Sequence, residues 1–381
     1  MVSSPICLDG TPRRLLVCPR MGFTVLAINP GSTSTKCAIY RDAQETWKKS
    51  VSHKSEDLAR FRRMLDQLEF RSAAVRDGIA ESGIHLSEIS AVVGRGGLLK
   101  PLPGGVYEVN EKMKADLVAE KYGRHASNLG ALLADSLASE LGVRAFIVDP
   151  VVVDELDAVA RLSGIPEIPR RSIFHALNQK AIAKRAAASL GKSYGESTLV
   201  VAHMGGGTSI GIHVNGMVVD VNNALDGEGP FAIERAGTVP AGDWMRWVLS
   251  HQHDPQALQL MITGRGGLVA YLGTNDFPSI EKSAEGGGSL DREKSDLLVR
   301  TLCYQAAKNI CGLAAFTGGK VDAVVLTGGL AFSKRVVREI TDRVSFLGPV
   351  LVFAGENELE ALALGALEVL RGGACARAYE G

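Results

Sequence analysis

A mostly apolar run from Phe23 to Ile28 gives way to the polar turn NPGSTSTK over Asn29 to Lys36 and resumes as CAIY. Short apolar runs on either side of a Gly/Ser turn predict strand, turn, strand. The shape returns 174 residues further on, where LVVAHM leads into Gly205 to Gly207 and TSIGIHV follows. Two copies are too few for a solenoid, which needs at least three stacked repeats, so the pattern predicts two similar domains. Between the hairpins the spacing predicts helices over Asp57 to Arg71 and Asn128 to Leu141 and a strand over Ala145 to Val148. After the second hairpin come a long amphipathic helix from Glu293 to Phe316, the strand VDAVVLTGG, a helix from Ser333 to Val344, the strand PVLVFAG and a helix from Glu358 to Leu370. Strands alternating with helices predict α/β layers. The glycine-rich stretch from Gly273 to Ser289 reads as a surface loop with one helical turn.

Composition narrows the function classes. Lys plus Arg and Asp plus Glu are both 42, a formal net charge of zero, which leaves no field to draw in nucleic acid or an anionic membrane. Glycine is 43 of 381 residues, about 11% against a usual ~7%, and implies many tight turns and close backbone approaches. The cysteines Cys7, Cys18, Cys37, Cys303, Cys311 and Cys375 are scattered, with no CxxC pair, and read as reduced thiols of a cytoplasmic protein. No stretch approaches the roughly 18 apolar residues of a membrane span. Residues 1–20 show no period and lack the apolar core of a signal peptide; a loose extension or an upstream start choice would explain them.

The candidate chemistry sits in the turns. Gly31 is ringed by Ser32, Thr33, Ser34 and Thr35, with Asn29 before and Lys36 after. Hydroxyls, exposed amides and one cation are what a phosphate needs. In isolation NPGS is an ordinary hairpin turn, and it is not a Walker loop, since GxxxxGK[ST] is absent and a strand follows. Gly205, Gly206 and Gly207 present no side chain to obstruct a phosphate. A third pair, Gly328 and Gly329, ends VDAVVLTGG before a helix and suits an adenosine or α-phosphate contact at a helix N-terminus. Paired hairpins of this kind resemble the nucleotide clamp of the actin, Hsp70 and sugar kinase superfamily.

The strings INPGSTSTK, RRSIFHALNQKAIAKR, VAHMGGGTSIG, VNNALDGEGPFAIERAGTVPAGD, GLVAYLGTND, LTGGLAFS and GENELEALALGALEVLRG, in this order, resemble the acetate kinase family from about Thr24 to Arg371. The resemblance implies an α/β protein of two actin-like (ribonuclease H-like) domains from an internal duplication, with the nucleotide in the cleft between them. It divides the chain into 21–150 plus 358–381 and 151–357. It also implies a Mg²⁺-dependent kinase that transfers phosphate from ATP in line to a short-chain carboxylate, with butanoate giving butanoyl phosphate and ADP. An acetate, propionate or branched-chain acyl kinase is the alternative within the class. A non-catalytic nucleotide-dependent switch is the alternative outside it. A homo-oligomer is expected.

Residue by residue, the resemblance makes Arg95 and Arg235 the guanidinium groups that hold the carboxylate and the transferring phosphoryl, and His175 a donor to a phosphoryl oxygen. His203 falls with the nucleotide-binding residues, His125 with the substrate pocket. Asp149 ends the AFIVD strand, where a carboxylate can orient substrate or a metal ion; the plain alternative is a turn aspartate before Pro150. Mg²⁺ takes one or two carboxylates and keeps water and phosphate as its other ligands. Glu358, with Glu356 as the nearby alternative, and Asn29 are the expected contacts. Gly97 stands where acetate kinases carry a valine two positions after the cleft arginine. The expectation is that it leaves room for further substrate carbons, the alternative that it permits a turn.

Overall fold

The computed structural model describes residues 22–31, 33–250 and 254–381. The expectations for residues 1–20, for Cys7 and Cys18 and for Ser32 lie outside them. Contacts divide the chain into two units. One holds the chain up to Lys100 with Gly105–Pro150 and Glu358–Gly381; the other holds Pro101–Gly104 and Val151–Asn357.

The first unit carries strands β1 (Thr24–Pro30), β2 (Ser34–Arg41), β3 (Gln44–Ser52), β4 (Ile89–Arg95), β5 (Val106–Glu108) and β6 (Arg144–Val148). Their order is β3-β2-β1-β4-β6-β5. The β1, β2 and β3 strands form an antiparallel meander, while β1, β4 and β6 run parallel. Every residue of β1 is buried, which is why it reads as a nearly continuous apolar run. Leu26 and Ile28 point into a core with Leu129, Leu132 and Leu133 of the Asn128–Leu141 helix. By alternation Asn29 points to the other face, where the Glu358–Leu370 helix packs.

The second unit carries β7 (Thr198–Met204), β8 (Thr208–Val214), β9 (Met217–Val221), β10 (Ala323–Gly328) and β11 (Val350–Ala354), in the order β11-β10-β7-β8-β9. The meander and the two following parallel strands repeat the first sheet, with β5 as the addition there. Val200, Ala202 and Met204 join the core of the Arg292–Ala314 helix. Leu199 and Val201 face Ala183, Ala186 and Ala187 of the Ala176–Ser189 helix. Period two therefore carries His203 to the side of that second helix, which holds Asn178.

Three expectations need correction. The helix over Asp57 to Arg71 is a single turn at Ser55–Leu58, a 3₁₀ turn at Met64–Gln67 and then a helix over Leu68–Ser82. Asp66 restarts the chain by accepting from the Arg63 amide at 3.1 Å. The Gly273 to Ser289 loop contains the two-turn helix Phe277–Ala284, whose Phe277, Ile280 and Ala284 are buried at i, i+3 and i+7. Gly328 and Gly329 do not open a long helix. A short 3₁₀ segment, Gly329–Phe332, intervenes, and Ser333 caps the Lys334–Val344 helix. Two further helices, Ala241–Ser250 and Pro255–Thr263, bury no residue and went unread.

Candidate functional site

In the first unit, the end of β4 is set by glycines. A Cβ on Gly94 would lie 2.0 Å from the Gly130 carbonyl oxygen, and one on Gly130 would lie 2.1 Å from that of Arg95. Two glycines thus let the Asn128–Leu141 helix press against β4 where Arg95 leaves it. Arg95 Nη1 donates to Glu358 Oε2 at 3.1 Å, and Nη2 lies 3.1 Å from Oε1, a bidentate pair at one-fifth exposure or less. The Asn29 amide nitrogen also donates to Glu358 Oε2, while its Oδ1 accepts from Arg95 at 3.5 Å. The structure thus brings Asn29, Arg95 and Glu358 together. Lys36 is exposed and sits directly across the ladder from Asn29.

Asp149 adopts φ +37°, the left-handed region, and accepts from the Gly105 amide at 2.7 Å. This bond pins the end of β6 to the segment entering β5. His125 Nδ1 accepts from the Ser127 amide at 3.2 Å and lies 2.7 Å from its hydroxyl, beside the start of the Asn128–Leu141 helix. The expectation for Gly97 is corrected. A Cβ there would lie 2.6 Å from both Cα and Oδ1 of Asn128, whose Oδ1 accepts from the Leu98 amide at 2.8 Å. Gly97 is a glycine because helix backbone fills the space a side chain would need.

Sequence reasoning missed Arg71. Its guanidinium is fully buried and donates to the carbonyls of Gly31 and Ser34, both at 2.9 Å, to Thr35 Oγ1 at 3.0 Å and to Gln67 Oε1 at 3.0 Å. It fastens the first glycine turn from beneath. His53, buried beside it and 2.8 Å from Thr35 Oγ1, has its pKa lowered by burial and then by the Arg71 charge.

In the second unit, the turn Gly205–Gly207 closes with the Gly205 amide on the Gly207 carbonyl at 2.9 Å. A Cβ on Gly207 would lie 2.3 Å from Arg235 Nη1, so the guanidinium rests on the bare turn while it donates to the Ala224 carbonyl at 2.7 Å. A Cβ on Gly206 would meet Glu234 Oε2 at 3.3 Å. Gly328, at φ +86°, passes so close to Met204 that a Cβ would lie 2.4 Å from its carbonyl oxygen; Gly329 faces open space.

His175 immediately precedes the Ala176–Ser189 helix, without capping it through its side chain, and stacks on His203 with ring centroids 3.9 Å apart. Buried His203 approaches Asn178 Oδ1 with Nδ1 at 2.8 Å; its Nε2 lies 3.3 Å from Glu356 Oε1 without hydrogen-bond geometry. His175 Nδ1 lies 2.8 Å from Ser209 Oγ. Asn178, Gln179 and Ser209 were quoted in the motif strings but not singled out. The i+3 and i+4 spacing of Asn178 and Gln179 from His175 was the signal that could have found them.

Asn29 and Glu358 offer an amide oxygen and a carboxylate. That donor set fits an ion such as Mg²⁺, which takes few protein ligands. Among the described residues no group of three or more His, Cys, Asp or Glu side chains could hold a metal ion.

The model of the acetokinase family matches residues 165–359. Butyrate kinase 1 of Clostridium acetobutylicum is 48% identical over 359 residues, covering 94% of this chain and all of the relative. Butyrate kinase 2 of the same organism is 47% identical over 360 residues, with 94% and 100% covered. The crystal structure of Porphyromonas gingivalis acetate kinase shares the fold at a TM-score of 0.74 and 18% identity, covering 91% of this chain and 100% of the other. A propionate kinase from Francisella tularensis does so at 0.68 and 18%, covering 90% and 98%.

Proposed function

The chain belongs to the acetokinase family, and we propose that it is a butanoate kinase that converts ATP and butanoate to ADP and butanoyl phosphate. The observation that carries the choice of acid is the 48% identity to Butyrate kinase 1 across 94% of the chain. A carboxylate oxygen attacks the γ-phosphorus, the bond to the β–γ bridging oxygen breaks, and ADP leaves with the electron pair. Both reactants are anions, so the protein must neutralise charge and hold three atoms in line.

Arg95 binds the carboxylate, its fork kept in one orientation by Glu358. Arg235, resting on the bare Gly207, neutralises the transferring phosphoryl, and His175 donates a hydrogen bond to one of its oxygens. The bare turn Gly205–Gly207, held closed by its own Gly205 amide, and the residues Ser32, Ser34 and Lys36 take the nucleotide phosphates. Gly329 leaves room for adenosine, with Gly328 permitting the close pass of the chain beside Met204, and His203 braces His175 through the ring stack. His125 lines the acid pocket, and Asp149, held by the Gly105 amide, orients the substrate. Asn29 and Glu358 would hold Mg²⁺, which supplies charge neutralisation at the phosphate oxygens.

We place the enzyme in the cytoplasm as a homo-oligomer. The balanced charge supports partners limited to nucleotide, carboxylate and copies of the chain. No described helix is long and apolar enough to cross a membrane. Met245 and Leu249, 55% and 79% exposed on the Ala241–Ser250 helix, support self-association.

Trapping acyl phosphate as the hydroxamate, over a panel of short acids, tests the reading. Butanoate should give the highest kcat/KM. Acetate should fall about fifteen-fold behind, since two methylenes are worth about 1.6 kcal/mol of burial. Failure to form hydroxamate with any acid would overturn the reading.

A further inference from the structure

Behind His175 lies a chain of buried polar groups whose hydrogen-bond directions can be deduced one after another. The Gln179 side-chain nitrogen lies 2.9 Å from the Ser209 carbonyl oxygen and 2.7 Å from Ser209 Oγ. A carbonyl only accepts, so this end of the amide is the NH₂ group. Its other end, Oε1, therefore accepts from His213 Nε2 at 3.0 Å, which places the His213 proton on Nε2. His213 Nδ1 is then the acceptor for the Tyr194 hydroxyl at 2.8 Å. Burial, with the Lys180 charge, holds the pKa of His213 down to about 3, so the ring stays neutral and the direction does not reverse near neutral pH.

Ser209 Oγ has two lone pairs and one proton. Gln179 donates to one lone pair at 2.7 Å and the His175 backbone amide reaches the other at 3.4 Å. The hydroxyl proton is left for His175 Nδ1, 2.8 Å away. A neutral imidazole that accepts at Nδ1 carries its proton on Nε2.

We infer that Ser209 and Gln179, with His213 and Tyr194 behind them, are positioning residues that fix His175 as its Nε2–H tautomer before any substrate arrives. The inference rests on the reading of His175 as a phosphoryl donor. A donor preset in this way needs no tautomer exchange in the transition state. The stack on His203, tilted by 13°, holds the ring plane.

Nitrogen-15 NMR of the full-length enzyme with labelled histidine tests this, with the His175 signals identified by their loss in His175→Gln. At pH 7.5 the wild-type ring should show a bare Nδ1 and a protonated Nε2. Ser209→Ala should bring up the Nδ1–H form and lower kcat by about 10- to 100-fold, the range for lost outer support of a functional histidine. KM for ATP should stay within about twofold. A wild-type Nδ1–H ring would overturn the inference, and so would a Ser209→Ala ring that keeps its tautomer or an unchanged kcat. If Ser209→Ala does not fold, the wild-type spectrum alone decides. Full turnover in His175→Ala, which leaves no donor, would sink the phosphoryl-donor role, whereas the spectrum judges the tautomer independently.

Discussion

Arg95 and Glu358, 263 positions apart in sequence, meet fork to fork, with Nη1 3.1 Å from Oε2 and Nη2 3.1 Å from Oε1. A guanidinium so held presents its remaining edge at a fixed angle, which suits a group that must receive a carboxylate. Arg95→Ala should lower turnover by about 10²- to 10⁵-fold, the range for lost phosphoryl-transfer stabilisation. Glu358→Gln should lower turnover less, by loosening the Arg95 fork, and should in addition raise the Mg²⁺ concentration needed for half-maximal rate. Steady-state kinetics over a Mg²⁺ titration separates the two.

Gly97→Val should reduce activity on acetate and butanoate together. The new side chain meets Asn128 backbone rather than open space, with the first carbon already 2.6 Å from its Cα. Overpacking of this kind costs about 1–3 kcal/mol and should appear as a lower Tm. The ratio of kcat/KM for the two acids should stay within about threefold. A selective loss on butanoate would restore the pocket-wall expectation.

Arg71→Met should weaken nucleotide binding from below the turn. It leaves the Gly31 and Ser34 carbonyls without their buried donor. The expected cost is about 1–3 kcal/mol in stability, with a raised KM for ATP. Thermal unfolding and an ATP titration on one preparation check both. Unchanged values would remove Arg71 from the support of this turn.

The buried His213 predicts a pH dependence. Its folded pKa of about 3 lies below the ordinary 6.5, so the unfolded chain binds the proton more readily. The stability it contributes is whole above pH 6.5 and is lost as pH falls toward 3, by about 1.4 kcal/mol per unit. His53, lowered in the same direction, adds to the slope. Denaturant midpoints between pH 7.5 and 5 should fall more steeply for wild type than for His213→Gln, and equal slopes would contradict the neutral buried ring.

The hairpins, the repeated sheet and the long helices were legible because each rests on local signals: an apolar run, a glycine turn, a cap. The stretch around Arg71 was not, because a charged residue reads as surface until the turn it grips, 40 positions away, is in place. Glu356 and Glu358 could not be separated by spacing. They stand two residues apart, yet Glu358 pairs with Arg95 and Glu356 approaches His203. Ser209 and His213 looked like ordinary polar strand positions, since only tertiary packing buries them. Gly97 was misread for a related reason. A missing side chain signals space only if the fold leaves that space empty.

The central claim is that a carboxylate, not water, receives the phosphoryl group. Phosphorus-31 NMR of the enzyme turning over ATP with oxygen-18-labelled butanoate tests it most directly. The account predicts butanoyl phosphate with one labelled bridging oxygen, visible as an isotope shift of its resonance, in step with ADP. ADP accompanied only by unlabelled inorganic phosphate would contradict it.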